Sequence, residues 1–290
     1  MNEQVNTIII DGRKIANSIK QEIKKEVKKL EIVPTLGIIF AGGKKDSEIY
    51  VRMKKIALKK AGMGFVEKKF TNDCTTQEII TAVKEFNEDD NINGILVQLP
   101  LPEGVDQYTI LSHISLDKDV DGCNPLTLLD LILEKRSAKF VACTPLGALH
   151  LIKSTGIEIA GKKAVVIGRS NIVGLPMAFL LIQEAATVTV CDKNTRNIQE
   201  ICKDADILVS ATGCGHLIKK DWIKPGAVVI DIGICPVKDK TKKRGYKIIG
   251  DVDFDSVQGI AGYITPVPGG CGARTISALM ENLLKATKKM

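Results

Sequence analysis

Along most of the chain, short runs of aliphatic and β-branched residues alternate with stretches whose apolar positions recur at helical spacing. The series begins with "TIII", continues with a helix near residues 12 to 31 and "TLGIIFAGG", and reaches a helix carrying "SEIYVRMKKIA". It goes on through "GFVEKKF", a helix after Thr75 whose Thr-x-x-Glu to Glu78 forms a capping box, and "GILVQLPLP". Runs such as "GILVQL" are apolar at consecutive positions, as strands covered on both faces must be. The pattern predicts an α/β fold built on a mostly parallel sheet.

Around residues 120 to 145 the rhythm breaks at "DVDGCNP" and "ACTPLG", whose Gly and Pro mark irregular connections. A second αβ series follows: "KKAVVIG", "ATVTVCD", "ADILVSATG", "GAVVIDIG" and "KIIGDVDF". Two sheets, hence two domains, is the economical reading of 290 residues. A last helical pattern, residues 272 to 287, follows "ITPVPGGCG" and is free to return to the first domain.

Composition narrows the function classes. The net charge of +7 sits largely in "KQEIKKEVKKLE" and "KATKKM"; in the first, lysines alternate with glutamates around an apolar stripe of Ile23, Val27 and Leu30, the pattern of a solvated helix face. With aromatics at 4%, there is little to stack on bases, so a nucleic-acid partner is not expected. No run approaches the roughly 20 apolar residues of a membrane span, and the start lacks a signal-peptide core, so a cytoplasmic protein without a membrane partner is expected. The eight cysteines contain no C-x-x-C pair and read as reduced thiols; no metal cluster and no Ser-His-Asp order stands out. His113, His150 and His216 are read as structural.

"KKAVVIGRSNIVGLPM" places Gly168 at the end of a buried strand and Gly174 at the start of a helix, where a tight turn and unpaired N–H groups suit a phosphate. Ser170 stands where the usual fingerprint has its second glycine, so the turn alone is a weak signal against a purely structural strand-to-helix connection. The next strand ends in Asp192, about where an acidic residue meets an adenosine ribose. Together these point to a dinucleotide site.

Ten segments in order, "SEIYVRMKK", "GILVQLPLP", "DKDVDG", "CTPLG", "VVIGRSNIVGLPM", "ATVTV", "SATG", "PGAVVIDIGI", "GDVDF" and "ITPVPGG", make the whole chain resemble the bifunctional methylenetetrahydrofolate dehydrogenase/methenyltetrahydrofolate cyclohydrolase family. The resemblance implies an N-terminal folate-binding catalytic domain (1–143 with 271–290), a C-terminal Rossmann-like dinucleotide-binding domain (144–270), a cleft between them, and a homodimer. It implies oxidation of 5,10-methylenetetrahydrofolate with a nicotinamide dinucleotide, then hydrolysis of the methenyl form to 10-formyltetrahydrofolate. The alternatives are one activity alone on the same fold, a non-catalytic folate or nucleotide binder, and a different Rossmann dehydrogenase, which would not explain "VQLPLP" or "ITPVPGG".

If the second helix starts near Ser47, then Ser47, Tyr50 and Lys54 share one face while Arg52, Lys55 and Lys59 point elsewhere. The resemblance makes Lys54 the proton-transferring lysine, Gln98 its hydrogen-bond partner, Tyr50 the ring lining the folate and Asp121 the carboxylate on the pterin edge. These four form the implied catalytic set. A lysine near its ordinary pKa of about 10.4 is a poor base at neutral pH, so burial must lower it or it acts as a charged donor. Ser47, Leu99, Pro100, Pro268, Gly269 and Gly270 are implied around the substrate. Gly168, Arg169, Ser170, Ile172, Gly174, Asp192, Lys193, Thr212, Gly213 and Ile234 are implied around the dinucleotide.

Departures from the family pattern fall near these positions. "DVDGFHP" is here "DVDGCNP", with Cys123 and Asn124; "PGGVGPMT" is "PGGCGART", with Cys271, Ala273 and Arg274; and Ala142 replaces the first proline of "PCTP". Two readings of Arg274 stand open, contact with the anionic glutamyl tail of folate or a different closure of the cleft. Asp192 favours NAD by repelling a 2′-phosphate, whereas Arg169 and Lys193 pull toward NADP. Family habit makes NADP the expected cofactor and NAD the alternative.

Overall fold

The computed structural model describes residues 5–43, 45–133, 139–242 and 245–288. In chain order the strands are Ile8–Ile9 (β1), Thr35–Ala41 (β2), Gly64–Phe70 (β3), Gly94–Gln98 (β4), Lys163–Ile167 (β5), Thr187–Cys191 (β6), Ile207–Ser210 (β7), Val228–Asp231 (β8), Cys235–Lys238 (β9), Tyr246–Ile249 (β10) and Tyr263–Ile264 (β11). The α-helices are Gly12–Val27 (α1), Lys45–Ala61 (α2), Thr76–Glu88 (α3), Gln107–Ser112 (α4), Pro125–Ile132 (α5), Cys143–Lys153 (α6), Gly174–Gln183 (α7), Ile198–Lys203 (α8), Phe254–Val257 (α9) and Cys271–Thr287 (α10). The chain divides into two compact units, residues 17–143 with 276–290, and residues 1–16 with 144–275.

The first unit holds a parallel sheet of order β3-β2-β4. Its central strand is buried at six of its seven positions, which is why "TLGIIFA" is apolar throughout rather than alternating. Helix α3 lays Ile79, Ile80, Val83 and Phe86 on the core containing Ile39, Ile95 and Val97. The predicted box closes its start: Glu78 N–H donates to Thr75 Oγ1 (3.2 Å), and Thr75 N–H to Glu78 Oε2 (2.7 Å).

The end of α3 is closed by a residue the sequence did not single out. Lys118, 5% exposed, donates from Nζ to the carbonyls of Phe86 (3.1 Å), Asn87 (2.8 Å) and Asp89 (2.8 Å). An ammonium here meets both the orphan carbonyls and the negative end of the helix dipole. Burial lowers its pKa from the ordinary value. Lys118→Met should therefore cost about 1–3 kcal/mol, because it strands the Phe86 and Asn87 carbonyls that the cation satisfies; urea unfolding measures this, and a cost below about 1 kcal/mol would show that water replaces the cap.

The second unit holds a six-stranded sheet of order β1-β11-β8-β7-β5-β6, parallel at every pairing. Two expectations are displaced here. "KIIGDVDF" was expected to continue the parallel series, but β10 pairs only with β9, antiparallel, because residues 239–245 are far shorter than the dozen or so a parallel crossover requires. Residues 1–16 were expected with the folate domain, yet Ile8 and Ile9 pair with Tyr263 and Ile264. Residues 271–275 also go with the six-stranded unit, while 276–290 return to the three-stranded one. There Asn282 Nδ2 donates to the carbonyls of Val120 (2.9 Å) and Val141 (3.2 Å).

Candidate active site

In the three-stranded unit, α2 sorts its basic residues by face, as its spacing predicts. Ser47 (7% exposed) and Lys54 (8%) are buried and Tyr50 is half-buried, while Arg52 and Lys59 are exposed and Lys55 pairs with Glu67 at 2.8 Å. Lys54 Nζ donates to Gln98 Oε1 at 3.0 Å. Gln98 ends β4, and its own Nε2 donates to the Leu99 carbonyl (2.7 Å), which fixes the amide so that its oxygen faces the lysine. Leu99 is half-buried against the core and Pro100 is exposed, joined by a cis peptide.

Asp121 lies in a loop held from beneath. The Asp119 carboxylate, fully buried, accepts from Cys123 N–H (3.0 Å), Asn124 N–H (2.9 Å) and the Thr127 hydroxyl (2.6 Å). Burial pushes its pKa up to about 6 despite those donors. Gly122 turns the chain at φ +68, where a Cβ would run into the Ala142 backbone, and Cys143 N–H donates to the Asp121 carbonyl (3.2 Å). The turn expected of an Asp-Gly pair is thus present, with the Asp121 carboxylate half-buried upon it.

The departures nearby have structural explanations. Asn124 caps α5, accepting from Leu126 N–H at 2.8 Å and donating to the Ile114 carbonyl at 2.8 Å. The Cys123 thiol donates to Asp121 Oδ2 at 3.5 Å. Burial, and then the Asp121 carboxylate, drive the Cys123 and Cys143 thiols well above the ordinary range, so both stay protonated.

In the six-stranded unit the order β8-β7-β5-β6 reverses direction between β5 and β7, the switch point at which open α/β sheets bind ligands. Gly168 follows β5 at φ +109, with its Cβ position against the Ala211 carbonyl of the loop after β7. At the N-terminus of α7, Gly174 sits so close that a Cβ would overlap the Gly168 carbonyl oxygen and lie 2.6 Å from its carbon. Only two glycines allow that approach. Ser170, at the position where the usual fingerprint has its second glycine, accepts at Oγ from Val173 N–H (3.2 Å) and Gly174 N–H (3.4 Å) and so ties the turn to the start of α7.

Arg169 and Ser170 are exposed, and Ile172 is half-buried. Arg169 Nε donates to Asp192 Oδ2 at 2.6 Å, so the two residues with opposed implications for the cofactor neutralise each other. The Asp192 carboxyl is held below its ordinary pKa by the Asn194 N–H and then by Arg169. Lys193 and Gly213 are exposed, Thr212 is half-buried beside Gly213, and Ile234 is 41% exposed just beyond β8. These loops, with the helix N-terminus, combine closely packed backbone with the exposed cations Arg169 and Lys193, a composition suited to an anionic ligand.

Pro268, Gly269 and Gly270 also belong to this unit. The Gly269 carbonyl accepts from Arg13 N–H (3.0 Å), and Gly270 N–H donates to the Pro266 carbonyl (2.8 Å). Arg274, left open between contact with a glutamyl tail and a different closure of the cleft, has no exposed surface to offer an anionic tail: it is fully buried, lies over Gly147, and its Nη2 contacts His150 Nδ1. His150 accepts there only when neutral, and burial followed by the Arg274 charge pulls its pKa down to about 4. His113 closes α4 with Nδ1 near the Thr109 carbonyl (2.8 Å), and His216 is exposed with φ +54.

The His150 shift fixes the sign of a pH effect. An unfolded His150 takes its proton near pH 6.5 and the folded one near 4, so its stabilisation is complete above about 6.5 and is lost as the pH falls through that window, on the order of 3 kcal/mol in all. His150→Gln, which can still accept from Arg274, should lose less stability than the parent between pH 7 and pH 5; equal losses in parallel thermal melts would remove His150 as the cause.

A buried lysine fixed by an amide and a half-buried carboxylate on a turn in one unit, and a dinucleotide-type turn at a switch point in the other, are what a two-domain α/β enzyme of the dehydrogenase class requires. The model for the tetrahydrofolate dehydrogenase/cyclohydrolase catalytic domain matches residues 10–121, and that for the family's NAD(P)-binding domain matches residues 142–290. Bifunctional protein FolD of Listeria innocua is 46% identical over 285 residues, covering 97% of this chain and 98% of its own. Bifunctional protein FolD 2 of Arabidopsis thaliana is 43% identical, over 97% and 96%. The crystal structure of the Trypanosoma brucei methylenetetrahydrofolate dehydrogenase-cyclohydrolase, complexed with NADP cofactor and inhibitor, superposes with a TM-score of 0.95 at 40% identity over 98% of both chains. The chain belongs to the tetrahydrofolate dehydrogenase/cyclohydrolase family.

Proposed function

We propose that this chain oxidises 5,10-methylenetetrahydrofolate with NADP and hydrolyses the resulting methenyl cation to 10-formyltetrahydrofolate. The observation that carries the second activity is the buried Lys54 held by Gln98. Water adds to the methenyl carbon, the C–N5 bond breaks, one proton reaches N5 and one is released. Lys54 Nζ moves the proton between the attacking oxygen and N5, and Gln98 keeps it aimed. Asp121 accepts from the amino and ring N–H groups of the pterin, and Tyr50 lies against the folate. Ser47, Leu99, Pro100 and the Pro268–Gly270 loop complete the substrate contacts in this reading.

The dinucleotide, when bound, accepts the hydride from the one-carbon bridge. Gly168, Ser170, Ile172 and Gly174 seat its phosphates, and Thr212, Gly213 and Ile234 contact its far half. NADP is preferred over NAD because Arg169 already occupies the Asp192 carboxylate, which removes its repulsion of a 2′-phosphate while Lys193 adds attraction. The relative solved with NADP supports the same choice. The reading extends to a cytoplasmic homodimer, on the strength of family resemblance; no described helix is long and apolar enough to cross a membrane.

An absorbance assay of purified protein with 5,10-methylenetetrahydrofolate and either nucleotide tests this directly. NADP should be reduced faster than NAD, and the methenyl absorbance should decay faster than in buffer. Folate binding with neither nucleotide reduced and methenyl decay no faster than in buffer would leave a non-catalytic binder as the function.

A further inference from the structure

Beneath the loops after β7 and β8 lie two buried carboxylates that the chemistry above leaves unused, Asp231 (2% exposed) and Asp251 (0%). Asp251 Oδ2 accepts from the Ser210 hydroxyl at 2.8 Å and from Thr212 N–H at 2.7 Å, and the Cys235 thiol approaches its Oδ1 at 3.8 Å. Asp231 in turn holds Asp251: its Oδ1 accepts from Asp251 N–H (3.0 Å) and Gly233 N–H (2.9 Å), and its Oδ2 from Val252 N–H (2.9 Å). Two glycines make the packing possible. A Cβ on Gly233 would overlap the Asp251 carboxylate, and one on Gly250 would overlap that of Asp231.

We propose that Asp251 is a positioning residue for the dinucleotide, fixing the backbone of Thr212 and Gly213 at the switch point while Asp231 fixes Asp251 and the turn leading to Ile234. The inference rests on the dinucleotide reading of that site. An aspartate suits the task because an ionised carboxylate only accepts, and both groups facing Oδ2 are donors. The loop it holds is the one Gly168 touches through the Ala211 carbonyl, so an error in Thr212 is passed to the phosphate turn as well. Burial, against the pull of the three N–H donors and with the Asp251 carboxylate adding to it, raises the pKa of Asp231 to about 7.

Asp251→Asn keeps the shape but, with its NH2 turned to Cys235, offers Ser210 and Thr212 a neutral and therefore weaker acceptor, and Ser210→Ala removes a single bond. Three readouts separate the roles: the Kd for NADP by calorimetry, the KM values for NADP and for folate, and methenyl hydrolysis measured with no dinucleotide present. Asp251→Asn should raise the NADP Kd and KM about tenfold, and Ser210→Ala about threefold, with the folate KM and methenyl hydrolysis within about twofold of the parent. An unchanged NADP Kd, or parallel loss of hydrolysis and NADP binding, overturns the proposal. If Asp251→Asn does not fold, Ser210→Ala decides alone, an unchanged Kd overturning it. A parent protein that binds no NADP would instead defeat the dinucleotide reading itself.

Discussion

Lys54→Met should lower methenyl hydrolysis by about a hundredfold or more while leaving the fold intact, the usual contribution of a positioned proton-transferring group. Methionine matches the lysine stem in length and stays compatible with a position only 8% exposed, so the change removes the nitrogen and little packing. The oxygen of Gln98 loses its partner, but its amide remains tied to the Leu99 carbonyl and the residue is only half-buried, which lets water satisfy the vacated acceptor. Gln98→Ala should give a smaller loss, since it frees Nζ without deleting it. Stopped-flow decay of methenyl absorbance reads both. Hydrolysis within about threefold of the parent in Lys54→Met would move the proton transfer to another group, with Asp121 the first to examine.

Gly174→Ala is the second large effect, and it falls on the other half of the reaction. The added methyl would overlap the Gly168 carbonyl oxygen and lie 2.9 Å from the Arg169 nitrogen, both main-chain atoms that no rotamer change can move aside. The turn must open, carrying Arg169 and Ser170 away from the start of α7. NADP-dependent oxidation should fall by about a hundredfold or more, mostly through the nucleotide KM, while methenyl hydrolysis without nucleotide persists. Retained NADP affinity would show that the phosphates sit elsewhere than on this turn.

The fold was legible wherever burial on both faces left consecutive apolar residues, as in β2, β4, β5 and β8, and wherever a local cap marked a helix, as Thr75 and Glu78 mark α3. What escaped depended on partners far away in the chain. Ile8 and Ile9 make a two-residue strand whose neighbour lies more than 250 residues downstream, and nothing in "TIII" says which sheet it joins. Near the candidate site, the face shared by Ser47, Tyr50 and Lys54 followed from helical spacing, and the pairing with Gln98 followed from resemblance. Lys118 and Arg274 were illegible for a common reason: charged side chains look solvated in a sequence, and their burial follows from carbonyls or a histidine supplied by distant elements. Asn124, which looked like a change at a ligand, is a helix cap, a role its residue type could have announced beside Pro125.

Neither compact unit is a continuous stretch of chain, and this has a consequence during synthesis. Residues 17–143 leave the ribosome early, but the segment that completes them, with Asn282 bridging the Val120 and Val141 carbonyls and Leu283 beside Gly94, is made only after the whole six-stranded sheet. The unit carrying Lys54 therefore waits, half-assembled, through more than a hundred further residues of translation, with the apolar ground that α10 will cover still bare. A nascent chain stalled near residue 270 should be the form on which chaperones find most to hold.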